Sequence, residues 1–133
     1  MTQVTLLKDK PSTIRRLNRN SKIFKSVIQA IGEKKGENII SLDLRNIPEA
    51  VADFFVICDA GSGTQVKAIA DCIEEKVKKQ TGESPYRQEG TAALQWVLID
   101  YINIVVHIFQ PETRRFYQLE EMWSDASRMD HEG

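Results

Sequence analysis

The chain has 133 residues, 41% of them hydrophobic and 28% charged, with a net charge of −1. This length suits one domain with a substantial core, and no apolar run approaches the roughly 20 residues that span a bilayer. No basic start followed by an apolar stretch marks a secretory leader, so a cytoplasmic protein without membrane contact is expected.

The charge is unevenly spread. Residues 1–26 hold seven Lys/Arg against one acid, +6, leaving 11 basic and 18 acidic residues, −7, in the remainder. Residues 1–20 lack helical or strand period and read as a basic, flexible arm, able to touch RNA on charge alone. Ser21 then caps a helix over Lys22–Lys35, with Ile23, Phe24, Val27, Ile28 and Ile31 on one stripe and Gly36 as the stop. Ile39–Leu44 is a short strand, and Asp53–Asp59, apolar on both faces, is a central one.

The loop Ala60–Gly63 leads into a helix over Thr64–Gln80, whose core stripe is Val66, Ile69, Ala70, Ile73 and Val77. Tyr86–Glu89 is a short strand. Trp96–Tyr101 and Ile104–Phe109 form a hairpin turning at Ile102-Asn103. Because strand side chains alternate, one hairpin face is Val97, Ile99, Tyr101, Ile104, Val106 and Ile108. The other is Trp96, Leu98, Asp100, Val105, His107 and Phe109. The first is a core face. The second mixes aromatics, aliphatics, an acid and a histidine, which suits a second buried layer or a surface covered by another macromolecule. A helix over Pro111–Trp123 follows, with Phe116, Leu119 and Trp123 as its buried stripe, and residues 127–133 read as a tail. The expected fold is α/β, a single domain with a mixed sheet of about five strands flanked by helices. The passage from Phe54 to Val97 favours a right-handed crossover.

Each chemical motif lacks a required group. Gly61-Ser62-Gly63 sits where a phosphate loop would, but has neither the Gly-Lys-Ser/Thr ending nor three spaced glycines, so a tight turn capped by Ser62 or Thr64 is preferred. The same Gly-Ser position suits a nucleotidyltransferase, yet no following strand carries Asp-x-Asp. Asp100 and His107 are diagonal neighbours without a nearby nucleophile. Cys58 and Cys72 have no motif spacing and read as reduced thiols, and two histidines make a zinc site improbable. Trp96 and Tyr117 are the candidate exposed anchors, and the acids Asp100, Glu89 and Glu112 around them favour a basic protein partner over phosphate.

In order, the blocks ENIISLDLRNI, ADFFVIC, QVKAIAD, EG, WVLIDY, VVHIF and ETRRFYQLEEMWSDA resemble the ribosomal silencing factor (Iojap-like) family, from about Val27 to Ala126. The resemblance implies a domain over residues 21–126 that is nucleotidyltransferase-like without the catalytic acids. It also implies a non-enzymatic factor, without cofactor or metal. Such a factor binds the large ribosomal subunit through ribosomal protein L-fourteen, blocks joining of the small subunit and lowers translation when nutrients are short. Trp96, Asp100 and His107 match the family's recurring Trp, Asp and His, with Leu98, Tyr101, Tyr117, Glu89 and Glu112 as their surroundings. Two positions depart from the pattern: Ile102 stands where a glycine is usual, and Asp59-Ala60 replaces Ser-Gly. A nucleotidyltransferase-type enzyme, a small RNA-binding module and a homodimer paired through a strand edge stay open as alternatives.

Overall fold

In a computed structural model the chain is described over residues 11–132, with side chains from residue 20 onward. The elements in chain order are α1 (Pro11–Glu33), β1 (Glu37–Asp43), β2 (Phe54–Asp59), α2 (Gly63–Thr81) and β3 (Arg87–Glu89). They continue with β4 (Trp96–Asp100), β5 (Ile104–Phe109), α3 (Pro111–Tyr117), α4 (Leu119–Met122) and β6 (Ser127–His131). The strands form one mixed sheet in the order β3-β4-β5-β2-β1-β6. Only the central pair, β2 with β5, is parallel; every other neighbour is antiparallel.

The α/β expectation holds, with six strands rather than about five. The additional strand is β6, in what reads from sequence as a tail. It pairs with β1 from Ile39↔His131 to Asp43↔Ser127, and Ser41 Oγ lies 2.8 Å from His131 Nε2. Almost all of β6 is exposed, so it carries no apolar alternation for sequence reasoning to find.

Two other boundaries move. The first helix begins at Pro11, not at Ser21. Proline suits a first helical turn, and no further proline or glycine interrupts the chain before Gly32. Part of the expected basic arm is therefore helical, while residues 1–10 lie outside the described residues. The last expected helix, Pro111–Trp123, is two short ones broken at Gln118, whose φ of 46° is left-handed. That break rotates the second turn against the first, so the single buried stripe does not form. Leu119 is buried and Trp123 packs partly against the core, but Phe116 is 80% exposed.

The sheet separates two apolar layers. On one side α1 and α2 cover it. Ile23, Val27 and Ile31 of α1 and Val66, Ile69, Ile73 and Val77 of α2 pack on Val56, Val97, Ile99, Ile104, Val106 and Ile108. α2 has the ends its sequence predicts: Ser62 Oγ accepts from the Gln65 N–H at 3.2 Å, and Gly82 closes the helix at φ 78°. On the other side Ile40, Leu42, Leu44, Phe55, Ile57, Val105 and Phe109 gather under Leu119 and Trp123. This second layer is thinner and has no long helix over it.

Candidate docking face

The hairpin register is Leu98↔His107 and Asp100↔Val105, with Trp96 opposite Phe109. Period-two alternation therefore brings Trp96, Leu98, Asp100, Val105, His107 and Phe109 to the thinly covered side. The mixed face is part buried and part open. Val105, His107 and Phe109 are buried, while Trp96, Leu98 and Asp100 are half-buried. β5 is central and β4 lies one strand nearer the edge, so the same face is covered over β5 and open over β4.

Trp96 is the hub of an aromatic chain. Its ring stacks on Phe109 at 4.8 Å between centroids and touches Tyr117 at the same distance. Tyr117 in turn meets the exposed Phe116 edge-on at 5.0 Å. The Trp96 indole N–H donates to His107 Nδ1 at 3.1 Å. Indole is a donor only, so Nδ1 must be the acceptor and the neutral ring carries its hydrogen on Nε2. Burial holds His107 neutral, pulling its pKa down to about 4 against a smaller opposing pull from Asp100. The Nε2 hydrogen has no partner among the described residues.

Asp100 has a local task. Its Oδ1 accepts from the Ile102 N–H at 2.7 Å and its Oδ2 from Arg87 Nε at 3.2 Å. The first contact fixes the hairpin turn. Ile102 has φ 74°, and Asn103 N–H donates back to the Tyr101 carbonyl at 2.9 Å, making a γ-turn of the rare positive-φ kind. A β-branched residue resists that geometry. It is held there because the Asn103 carbonyl also accepts from the Asp53 and Phe54 N–H groups, tying the turn to the start of β2. Ile102 at the glycine position thus leaves the register intact and projects an exposed isoleucine at the rim of the face.

The remaining expected residues fall differently. Tyr101 turns to the opposite face and is buried in the helix-covered core, with no partner for its hydroxyl among the described residues. It is therefore absent from this surface; it is the first residue past the end of β4, and alternation alone assigns it to the core face. Glu89 lies opposite Leu98 on β3, exposed and paired with Arg87 at 2.6 Å. Glu112 is exposed in the first turn of α3. Sequence reading missed Val51, Tyr86 and Phe116, which are exposed; Val51 and Tyr86, with Ile102, rim a cavity of about 420 Å³ above Leu98, Val105, Phe55 and His107. Val51 and Tyr86 lie outside helices and strands and carry no period that could have revealed them, and Phe116, helical but expected in a buried stripe, is turned outward by the break at Gln118. Gly90 of the EG block is explained by close approach: a Cβ there would lie 1.9 Å from the Trp96 carbonyl oxygen, and its φ is 83°.

A larger cavity of about 520 Å³ lies at the ends of β2 and β5, around Arg114. Arg114 at its centre is fully engaged. Arg114 binds Asp59 at 3.0 Å, Glu120 at 3.0 Å and the Asn38 carbonyl at 2.8 Å. Asp59, the acid nearest Gly61–Gly63 in sequence, is thereby committed to an ion pair. The Gly61 N–H donates to Gln65 Oε1, so that loop is engaged in its own turn. Among the described residues no group of three or more His, Cys, Asp or Glu side chains is placed to hold a metal ion. Burial pushes the Cys58 thiol up to about 12, which leaves it inert. No helix among the described residues is long and apolar enough to cross a membrane.

A family model described as "ribosomal silencing factor during starvation" matches residues 18–133. The chain is 38% identical over 114 residues to the ribosomal silencing factor RsfS of Halalkalibacterium halodurans, covering 86% of this chain and 96% of that one. It is 34% identical to the chloroplastic protein Iojap of Zea mays over 77% of this chain and 43% of that one. A crystal structure of a Chromobacterium violaceum protein superposes with a TM-score of 0.73 at 32% identity, covering 78% of this chain and 85% of the other. The chain belongs to the ribosomal silencing factor family.

Proposed function

We propose that this protein is a translational silencer that binds the large ribosomal subunit through ribosomal protein L-fourteen and sterically prevents the small subunit from joining. The observation that carries the reading is the half-open second face of the sheet. A folded domain rarely leaves a tryptophan half-buried beside a run of exposed aromatic and aliphatic side chains unless something else covers them. Trp and Tyr are the side chains that dominate protein interfaces. The relatives are named as silencing factors, and the site offers a docking surface where catalysis would need converging reactive groups. Interspersed acids (Glu89, Asp100, Glu112) fit a basic protein partner. The mechanism needs only occupancy: a standard interface would cover roughly 800 Å² on the partner, enough to mask a contact between subunits. The basic stretch at the start of α1 would add salt-sensitive contacts to ribosomal RNA.

Variants for testing must spare the fold. Trp96→Ala would strand His107 Nδ1, and Asp100→Arg would undo the turn at Ile102, so neither isolates binding. Phe116 and Tyr117 are exposed enough to do so. Phe116→Asp combined with Tyr117→Ala is expected to abolish co-sedimentation with purified large subunits. The same variant should also fail to stop subunits joining in a sucrose-gradient profile, with an unchanged circular dichroism spectrum. Normal co-sedimentation by the folded variant would move the interface off this face.

A further inference from the structure

The cavity beside Trp96 has a graded wall. Its rim is Val51, Tyr86 and Ile102, respectively 84%, 73% and 60% exposed, while Phe55, Val105 and His107 at its depth are each 6% exposed or less. Besides the Tyr86 hydroxyl at the exposed rim, three polar groups lie around this apolar wall. Arg87 is held by Asp100 and Glu89. Both Asp100 oxygens are engaged, by Ile102 N–H and by Arg87. The third is the His107 Nε2–H, a buried donor with no acceptor among the described residues. A buried donor left unpaired costs free energy in the free protein, and an acceptor brought to it recovers that cost. Ile102 adds a second signal, since an exposed β-branched residue is held at positive φ at the rim. Backbone strain of this kind clusters where ligands are gripped.

The chemistry of the occupant follows from what the cavity can and cannot satisfy. Trp96 fixes the tautomer, so His107 offers a donor and no acceptor. A cationic side chain would have to leave water for mostly apolar walls, beside an Asp100 whose charge Arg87 already balances. A carboxylate would meet Asp100, and Arg87 in the same cavity is already shared between Asp100 and Glu89. A neutral carbonyl oxygen suits the donor, and an aliphatic or aromatic side chain suits the walls. We propose that this cavity is a socket for one apolar side chain of the partner protein, and that His107 Nε2–H donates to a neutral carbonyl on the same segment. This inference rests on the docking-face reading above and assigns His107 as a specificity-determining residue within it.

The test is a co-sedimentation titration of purified bacterial large ribosomal subunits with the full-length chain and four variants. His107→Phe keeps a ring but removes the donor, and should bind at least about ten-fold more weakly. His107→Gln retains an amide donor and an acceptor for the Trp96 indole, and should recover part of that loss. Val51→Asp, at an exposed rim position, should weaken binding by about ten-fold through a charge facing the apolar occupant. If His107→Phe does not fold, Val51→Asp and Tyr86→Ala decide the matter. Wild-type affinity in every folded member of the set would overturn the socket, and if Phe116→Asp/Tyr117→Ala still loses binding, the docking face itself stands. No binding by the wild-type chain would overturn both. Loss of binding to protein-stripped ribosomal RNA by Val51→Asp, where the wild type binds, would also overturn the socket, since the occupant would then be nucleic acid.

Discussion

The two faces of the hairpin carry comparable apolar side chains yet meet different fates. On the helix side, Val97, Ile99, Ile104, Val106 and Ile108 are almost fully buried beneath α1 and α2. On the other side, Phe109 is fully buried while Trp96, opposite it in the next strand, is half open. The difference lies in what the chain supplies as cover. Two long amphipathic helices enclose one face, whereas two short helical pieces and a loop reach only the centre of the other. A surface left apolar by its own sequence and uncovered by its own chain is where a partner gains most from burial.

This contrast can be broken first at the helix face. Ile108→Ala removes a fully buried side chain where helices and sheet meet, and should cost about 2–5 kcal/mol in denaturant unfolding. A loss below about 1 kcal/mol would mean that the helix side is no better packed than the other.

A pH titration probes the opposite side. His107 titrates near 6.5 when unfolded and at about 4 when folded. Between these values the unfolded chain binds the extra proton, so stability present above pH 6.5 is lost as pH falls towards 4, on the order of 3 kcal/mol. Thermal unfolding of wild type against His107→Gln from pH 7 to 4 should show the variant with the flatter profile. Parallel profiles would mean that His107 is solvated and the second layer is open to its depth.

At the rim, Ile102→Gly should stabilise the fold by about 1 kcal/mol by relieving the positive φ, as read by urea unfolding. It should weaken subunit binding at the same time by deleting an exposed side chain of the face. A gain in both would show that the strained isoleucine serves neither. The smallest effect belongs to the outermost aromatics. Tyr117→Ala should shift folding stability by less than about 1 kcal/mol while weakening binding, since its side chain is nearly half exposed.

Sequence alone determined the alternation of the hairpin, because period two is a property of the extended backbone. It placed Leu98 opposite His107 and separated the core face from the mixed one. The stripe of α2, its Ser62 cap and its Gly82 stop were legible for the same reason: each is a local rule that neighbouring residues satisfy. Family membership was legible from ordered blocks spanning most of the chain. Tertiary structure alone decided which half of the mixed face is covered. That depends on Gln118 breaking the last helix and turning Phe116 outward, and on loops bringing Val51 and Tyr86 beside a hairpin distant in sequence. It also decided that residues 127–131 form a strand, since a polar edge strand is specified by the backbone groups of β1 and not by its own side chains. The orphaned hydrogen of His107 belongs to the same class: a histidine in the sequence has two nitrogens, and only the indole across the strand settles which one is left to meet a partner.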